Sequence, residues 1–247
     1  MNTRTKRKNT LAAVERQDRT RRILVQVAVA TVLVGLIAAI GINVAVKQSA
    51  RDDPGPTPVI AAQPGTDPAG ITVSITASGA IRVGTPSAAR TVRVVADLQC
   101  PACRRFEASY GPLLTDAVNA GTVAAEYDII AFLDRASSTE YSSRAANASY
   151  CAAEADPTRY PSWLQTMFEH QPAEGGEGLP DSTIIDIAEG AGYSGPAFAR
   201  CVTDRTYRKF VRAHTSAVLD SGIRSTPSVF VDGSPIDPAQ LPATIGS

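Results

Sequence analysis

The sequence predicts an α/β domain in which a strand–helix–strand unit and a final pair of strands flank a block of helices. Runs rich in β-branched residues occupy residues 91–98, 123–133 and 229–231, which favours strands at these places. Between the second and third runs, amphipathic segments with helix-start and helix-stop signals follow one another. The third run ends in Asp232-Gly233, a dipeptide typical of a tight hairpin turn.

Three segments of different composition precede this domain. Residues 1–22 contain eight basic and two acidic side chains and predict a cytoplasmic tail. Residues 23–46 contain no charged side chain, and 24 helical residues at about 1.5 Å each cross a hydrocarbon core of roughly 30 Å. A cleaved signal peptide is the alternative, but its apolar region is normally about 7–15 residues long. Residues 47–70, with five prolines and three glycines, predict a semi-extended linker.

The side chains around the apolar segment also predict where the domain lies. Basic residues before a membrane anchor stay in the cytoplasm, so the domain at 71–247 is expected outside the cell membrane, where disulfides persist. The formal net charge is zero, and the acidic residues lie almost entirely after residue 22. A basic tail on an acidic body argues against a nucleic-acid partner for the domain.

The first half of the domain reads as strands around one helix. "ITVSIT" and "AIRVG" are predicted strands before the stronger one at 91–98. A helix is predicted after Cys100, because Pro101 suits its first position. Gly111-Pro112 is predicted to kink or break that helix, which resumes as far as Gly121.

The second half is predicted to hold five helices between about residues 137 and 221. Ser137 and Glu140 have the spacing of a capping box, and Asp181 or Ser182 is expected to cap a later helix. The complete order of elements describes a thioredoxin fold with an inserted helical domain, preceded by one N-terminal transmembrane helix.

Four cysteines allow three pairings: Cys100, Cys103, Cys151 and Cys201. A bridge between Cys100 and Cys103 would constrain few residues, so stabilisation is a poor reason for it. It would leave Cys151 with Cys201, closing a loop of about 51 residues worth roughly 4 kcal/mol in the chain-entropy model. At a helix start, the Cys100 sulfur would face unsatisfied N–H groups that stabilise a thiolate. A zinc site would need a second close pair of ligands, so neither a metal nor another cofactor is expected.

Three segments in this order resemble the DsbA-like thiol–disulfide oxidoreductases, of the membrane-tethered actinobacterial type: "VVADLQCPACRRFE", "SSRAANASYCAAEA" and "GIRSTPSVFVDG". The resemblance covers residues 71–247. It implies that Cys100 is the exposed nucleophile and Cys103 the buried resolving cysteine. It further implies that Pro227 is cis and that Thr226 offers backbone groups to an extended substrate. The second cysteine pair, Cys151 and Cys201, would be a structural disulfide.

The chain departs from the pattern at two positions and leaves the role of a third open. Ala102 stands where a well-studied relative has histidine, and Val94 stands where thioredoxins carry a buried acid. Asp97, three residues before Cys100, matches a carboxylate of many relatives. It is interpreted either as a proton relay for Cys103 or as a residue that caps the strand end.

Three functions compete at this point. The first is a disulfide donor to exported proteins with free thiols, reoxidised by a VKOR-like membrane protein as the resemblance implies. The second is a thiol reductase or isomerase on the same fold, for example in cytochrome maturation. The third is a non-catalytic, tethered peptide-binding domain. The sequence shows no separate dimerisation module, which favours a monomer.

Overall fold

The strands form one mixed sheet whose order confirms the predicted core. The computed structural model describes residues 35, 55–60 and 70–246. Its strands are β1 (Thr72–Ile75), β2 (Ile81–Gly84), β3 (Arg90–Ala96), β4 (Val123–Ile129), β5 (Ser228–Val231) and β6 (Ser234–Ile236). They are ordered β1-β2-β4-β3-β5-β6; β3 and β4 are parallel, and the other neighbouring pairs are antiparallel.

The helices divide between the sheet and an insertion. They are α1 (Pro101–Asn119), α2 (Tyr141–Ala155), α3 (Tyr160–Glu169), α4 (Asp181–Gly190), α5 (Pro196–Thr203), α6 (Arg208–Asp220) and α7 (Leu241–Ile245). Helix α1 connects the parallel strands β3 and β4, and helices α2 to α6 lie between β4 and β5 in the chain. This is a thioredoxin-like fold with a helical insertion.

Strand β3 lies between β4 and β5, and its second half is apolar on both faces. Val92, Val94 and Val95 are all at most 1% exposed, as expected for a strand covered on two sides. The β5–β6 hairpin turns at Asp232-Gly233, with φ angles of 48° and 81°. A two-residue hairpin with a type I′ turn requires positive φ at both central positions. The predicted hairpin turn at Asp232-Gly233 is therefore confirmed.

Helix α1 runs unbroken past Gly111-Pro112, which corrects the predicted interruption. Pro112 lacks an N–H, so the carbonyl of Ala108 loses its helical partner, at a cost of roughly 3 kcal/mol. The helix nevertheless has 19 residues and packs against β4, α3 and α7. Tertiary packing, which supplies most helix stability in proteins, outweighs the local cost.

The predicted helix caps are also corrected. Helix α2 begins at Tyr141, and the Glu140 carboxylate pairs with Arg208 at 2.6 Å instead of completing a capping box. Pro180 is the cap residue of α4, while Asp181 lies inside the helix and forms ion pairs with arginines from elsewhere in the fold. In each case a tertiary cation replaces the local backbone N–H as the partner of the carboxylate.

The segment before β1 is more tightly packed than a free linker. Pro58 and Ile60 are buried, and Ile60, 8% exposed, belongs to the main hydrophobic core. Residues 55–60 therefore contact the domain, and the semi-extended linker at 47–70 stays a prediction. The predicted anchor at 23–46 lies outside the described residues apart from Gly35. Within the described part, no helix is long and apolar enough to cross a bilayer.

A disulfide joins two helices of the insertion. Cys151 on α2 and Cys201 on α5 are bonded, 50 residues apart in the chain. The Asn147 side chain links the same helices to the start of α6: its amide donates to the Cys201 carbonyl at 3.3 Å, and its oxygen accepts from the Tyr207 N–H at 2.7 Å. The cross-link and this amide together fix α5 and α6 against α2.

Removing this disulfide should destabilise the domain without changing the active site. For the double variant Cys151→Ala/Cys201→Ala we expect the free energy of unfolding to fall by about 4 kcal/mol, because the unfolded chain regains the entropy of a long loop. Denaturant titration measures the change. Unaltered reactivity of Cys100 serves as the control, and an unchanged free energy of unfolding would contradict a stabilising role for the bond.

Candidate active site

The end of β3 and the turn before β5 bring the predicted site residues together. Cys100 is the N-cap residue of α1, and its amide donates to the carbonyl of Asp97 at 3.0 Å. The Thr226–Pro227 peptide bond is cis and directly precedes β5. Strands β3 and β5 are neighbours in the sheet, so this turn reaches the cysteine motif. The Cys100 Sγ lies 3.4 Å from the carbonyl oxygen of Thr226.

The two cysteines of the motif differ in their exposure. Both are reduced in this structure; Cys100 is 8% exposed and Cys103 is 1% exposed. Both side chains are buried, which corrects the expectation that Cys100 is exposed. Because Cys100 is the less buried of the two, its sulfur is the one that an incoming thiol reaches first. Cys103, one turn further along α1, can react with a substrate only through Cys100.

Their pKa values are displaced in opposite directions. The hydrogen bond from Cys103 is the main cause that lowers the pKa of Cys100 to about 5, against the effect of burial. The Thr226 hydroxyl and the backbone N–H groups of Cys103 and Ala102 lower it further. The pKa of Cys103 is raised far above its usual range, because ionisation would remove this hydrogen bond and bury a second charge. At neutral pH the pair is a thiolate beside a thiol.

The hydroxyl of Thr226 is a functional group that the sequence did not indicate. Thr226 is 9% exposed, and its Oγ1 has no hydrogen-bond partner among the described residues. Donating to the Cys100 thiolate satisfies this hydroxyl, which explains its contribution to the lowered pKa. The sequence pointed only to the backbone of Thr226, through its position before Pro227.

Asp97 is fully buried and holds the turn that leads into the motif. Its carboxylate accepts hydrogen bonds from the amides of Gln99 and Leu133, each at 2.8 Å, and from the Ser142 hydroxyl at 2.7 Å. Burial raises the pKa of Asp97 to about 6 in spite of these three donors. The carboxylate makes no hydrogen bond to Cys103 among the described residues, so the proton-relay role stays a prediction.

Two glutamines, also missed in the sequence, connect the motif to the loop that follows α3. The Gln171 side chain donates to the carbonyl of Cys100 at 3.1 Å. The Gln99 side chain donates to the carbonyls of Ala173 and Gly176 at 3.4 and 3.5 Å. Gln171 lies 71 residues after Cys100, and no local sequence pattern relates the two.

His214 and the second cysteine pair lie in surroundings that indicate a structural role. His214 is 5% exposed, and its Nε2 lies 2.8 Å from the buried carboxylate of Asp128. Cys151 and Cys201 are bonded to each other, away from the motif in the insertion. Among the described residues there is no group of three or more His, Cys, Asp or Glu side chains that is suited to a metal ion.

The Thr226 hydroxyl should contribute measurably to the ionisation of Cys100. For Thr226→Val, which keeps the shape but loses the donor, we expect a higher pKa of Cys100 than the value of about 5 in the parent chain. Thiolate absorbance near 240 nm across a pH titration measures it. Thr226→Ser keeps the hydroxyl and should leave the titration nearly unchanged; equal curves for all three proteins would contradict the role of this hydroxyl.

Comparison with known proteins agrees with this geometry. Residues 76–247 match the family described as thioredoxin. Reduced DsbA from Mycobacterium tuberculosis is 33% identical, with a TM-score of 0.58 over 67% of this chain and 90% of that chain. The reduced disulfide bond oxidoreductase DsbG from the same organism is 32% identical, with a TM-score of 0.58 over 74% of this chain and 88% of that chain.

A curated relative matches only in part. The serine/threonine-protein kinase PknE of Mycobacterium tuberculosis is 32% identical over 178 residues, which are 66% of this chain and 31% of the kinase. The chain thus spans about a third of the length of that relative. The match to residues 76–247 and the cysteine geometry lead to one assignment. The chain belongs to the thioredoxin family, and its domain is of the DsbA-like thiol–disulfide oxidoreductase type.

Proposed function

We propose that this domain donates disulfides to exported proteins by exchange at the Cys100–Cys103 pair. The observation that carries the proposal is the position of the pair: Cys100 is the N-cap residue of α1, Cys103 is buried one turn further on, and the Thr226 carbonyl lies 3.4 Å from the Cys100 Sγ. In these surroundings the pKa of Cys100 is lowered to about 5. A thiolate that is stabilised in the reduced protein favours the reduced pair, so the oxidised pair is a strong oxidant.

The donor cycle begins from the oxidised pair. A substrate thiolate attacks the Cys100 Sγ, the bond to Cys103 breaks, and the Cys103 sulfur leaves and takes up a proton. A second thiolate of the substrate then attacks the substrate sulfur of the mixed disulfide and expels the Cys100 thiolate. The substrate loses two electrons, and the cysteine pair gains them. The low pKa of Cys100 makes it a good leaving group in the second step.

The backbone around Thr226 supports binding of an extended substrate. Its N–H and carbonyl make no hydrogen bond to other backbone groups in the described part of the chain, although β5 begins two residues later. Among the residues that the structure describes, the carbonyl accepts only from the Cys100 Sγ, at 3.4 Å, so a substrate strand can pair with these two backbone groups beside Cys100 by strand addition. The pairing would hold a substrate cysteine next to the nucleophile.

The proposed location and partners follow from the apolar segment and the chemistry. We place the domain outside the cell membrane, anchored by residues 23–46 with the N-terminus in the cytoplasm, as a monomer. A donor ends each cycle reduced and needs an acceptor for two electrons, and a VKOR-like membrane protein fits this role. No nucleic acid takes part in this proposal.

The equilibrium with glutathione tests the direction of electron flow. For the full chain in detergent, we expect a reduction potential closer to about −120 mV than to about −270 mV. A value at the lower end would favour the thiol reductase or isomerase. The Cys151→Ala/Cys201→Ala variant is the control. It lacks the second disulfide, so the reduction potential measured for it belongs to Cys100 and Cys103 alone.

Trapping tests whether the cysteines are catalytic at all. The Cys103→Ala variant keeps the nucleophile and loses its thiol partner. It is loaded as the mixed disulfide of Cys100 with glutathione and given a reduced, unfolded substrate that has a single thiol. The substrate thiolate attacks the Cys100 Sγ and glutathione leaves, so the substrate disulfide should accumulate on Cys100, because neither Cys103 nor a second substrate thiol can break it. Non-reducing electrophoresis and mass spectrometry detect it. Cys100→Ala should trap nothing. If neither variant forms adducts while the folded domain still binds unfolded protein, the non-catalytic peptide-binding function is favoured.

The reduced protein should gain stability as the pH rises from about 5 to 8. A folded-state pKa of about 5, below the ordinary 9.0, means that ionisation of Cys100 stabilises the fold, and that this gain is lost as the pH falls through 5. Relative to Cys100→Ser, we expect a gain of about 1 kcal/mol per pH unit in this range. Denaturant titrations at several pH values measure it, and parallel curves for the two proteins would refute it.

A further inference from the structure

A groove separate from the cysteine pair runs along α1. It has a volume of about 870 Å³ and lies between α1, the sheet at β2 and β4, and helix α3. Its α1 side extends from Arg104 to Asn119, a distance of about 22 Å at 1.5 Å per residue. The end at Arg104 adjoins the active site, since the Arg104 amide donates to the Cys100 carbonyl at 3.1 Å.

Small side chains keep this groove open. Ala108 and Gly111 of α1 face it, and Ala125, paired with Val83 across β4 and β2, forms part of its floor. A Cβ atom at Gly111 would lie 2.7 Å from the Glu107 Oε1. Glycine at this position therefore leaves room for the Glu107 carboxylate beside the helix.

Two polar groups in the groove, the carboxyl of Glu107 and the hydroxyl of Tyr127, lack partners in the described part of the chain. Neither makes a hydrogen bond or an ion pair there, and Tyr127 is 8% exposed. Pro112 has no N–H, so the carbonyl of Ala108 lacks its helical partner. Burial of a carboxyl without a donor is costly, and a ligand that supplies a donor removes this cost.

The charges of the groove favour a cation. Glu107, Asp116 and Glu169 line it together with a single basic residue, Arg104. Asp116 and Glu169 are exposed, whereas Glu107 is half-buried, and the buried Phe168 lines the same groove. A positively charged group with apolar neighbours complements this arrangement.

We propose that this groove binds an extended polypeptide segment that carries a basic side chain between apolar ones, with Glu107 pairing with the base. Its length matches about six extended residues at roughly 3.4 Å each. The bound segment would be the flank of a substrate whose cysteine reacts at Cys100. This last part rests on the proposed function, whereas binding in the groove does not.

A cysteine-free peptide tests binding by itself. The probe is acetyl-Ala-Leu-Lys-Leu-Ala-Ala-amide, compared with the same peptide carrying norleucine for lysine, by calorimetry on the full chain in detergent. We expect at least tenfold tighter binding of the lysine peptide, and loss of this preference in Glu107→Gln. Glu189→Gln, at an exposed acid on α4, is the control and should retain it. Equal affinities for the two peptides would overturn the proposal.

The pH dependence provides a second readout. Burial raises the pKa of Glu107 to about 7 in the free protein, so binding a cation below that pH also requires the loss of a proton. Affinity for the lysine peptide should therefore rise between pH 6 and 8 in the parent chain and stay flat in Glu107→Gln. The other titratable groups around this carboxyl are Arg104, Asp116, Tyr127, Tyr160 and Glu169.

Filling the groove with a large side chain tests whether the lysine peptide binds inside it or is only attracted by the surface charge. Ala108→Trp places a large ring in the groove and should abolish binding of the lysine peptide, while Ser109→Trp, at the next exposed position of α1, should not. Thermal melts confirm that both variants fold. If hexylamine binds as tightly as the hexapeptide, the site is one for small amines and the polypeptide assignment is wrong.

The kinetics of cysteine-peptide oxidation test whether the groove binds the substrate during the reaction. For a substrate with a lysine flank, Ala108→Trp should raise KM at least tenfold, whereas Ser109→Trp should leave KM unchanged. An unchanged KM in Ala108→Trp would refute the substrate role. If the lysine hexapeptide binds but the chain oxidises no thiol, the proposed function fails and the groove remains; if thiols are oxidised but the hexapeptide does not bind, only the groove assignment fails.

Discussion

The effect of the Cys103 thiol on the Cys100 sulfur, which is the main cause of the lowered pKa of Cys100, is the interaction on which the active site depends. It requires the two sulfurs to lie one turn apart at the start of a helix, with the inner one buried. Helix α1 meets this requirement because it begins at Pro101, directly after a central strand whose end is fixed by buried Asp97. The sheet supplies the third contact, since β5 pairs with β3 and brings Thr226 to the same sulfur. The fold thus positions three groups from distant parts of the chain around a single charge.

Much of this framework was readable from local sequence patterns. The valines of β3, Pro101 after Cys100, and Asp232-Gly233 each have a conformational preference that agrees with the tertiary structure. Such agreement between local preference and fold is what makes a prediction from one sequence possible. The element order then left few arrangements for the sheet, because a strand–helix–strand unit normally forms a parallel pair.

The features that escaped prediction depend on contacts between distant residues. Gln171 reaches the Cys100 carbonyl from a loop 71 residues away, and the role of the Thr226 hydroxyl exists only once β5 lies beside β3. The same cause explains the incorrect caps, since Glu140 and Asp181 found cations elsewhere in the fold. At Gly111-Pro112 the local signal was real, but the packing of α1 outweighed it.

The bond between Cys151 and Cys201 has a consequence for how each molecule matures. A newly made chain carries four thiols, and closing this bond removes two electrons before the insertion is complete. An oxidant must therefore act on every new copy. If the domain is a disulfide donor, finished copies can serve their own precursors, so the supply of cross-linked, fully stable protein would depend on molecules made earlier.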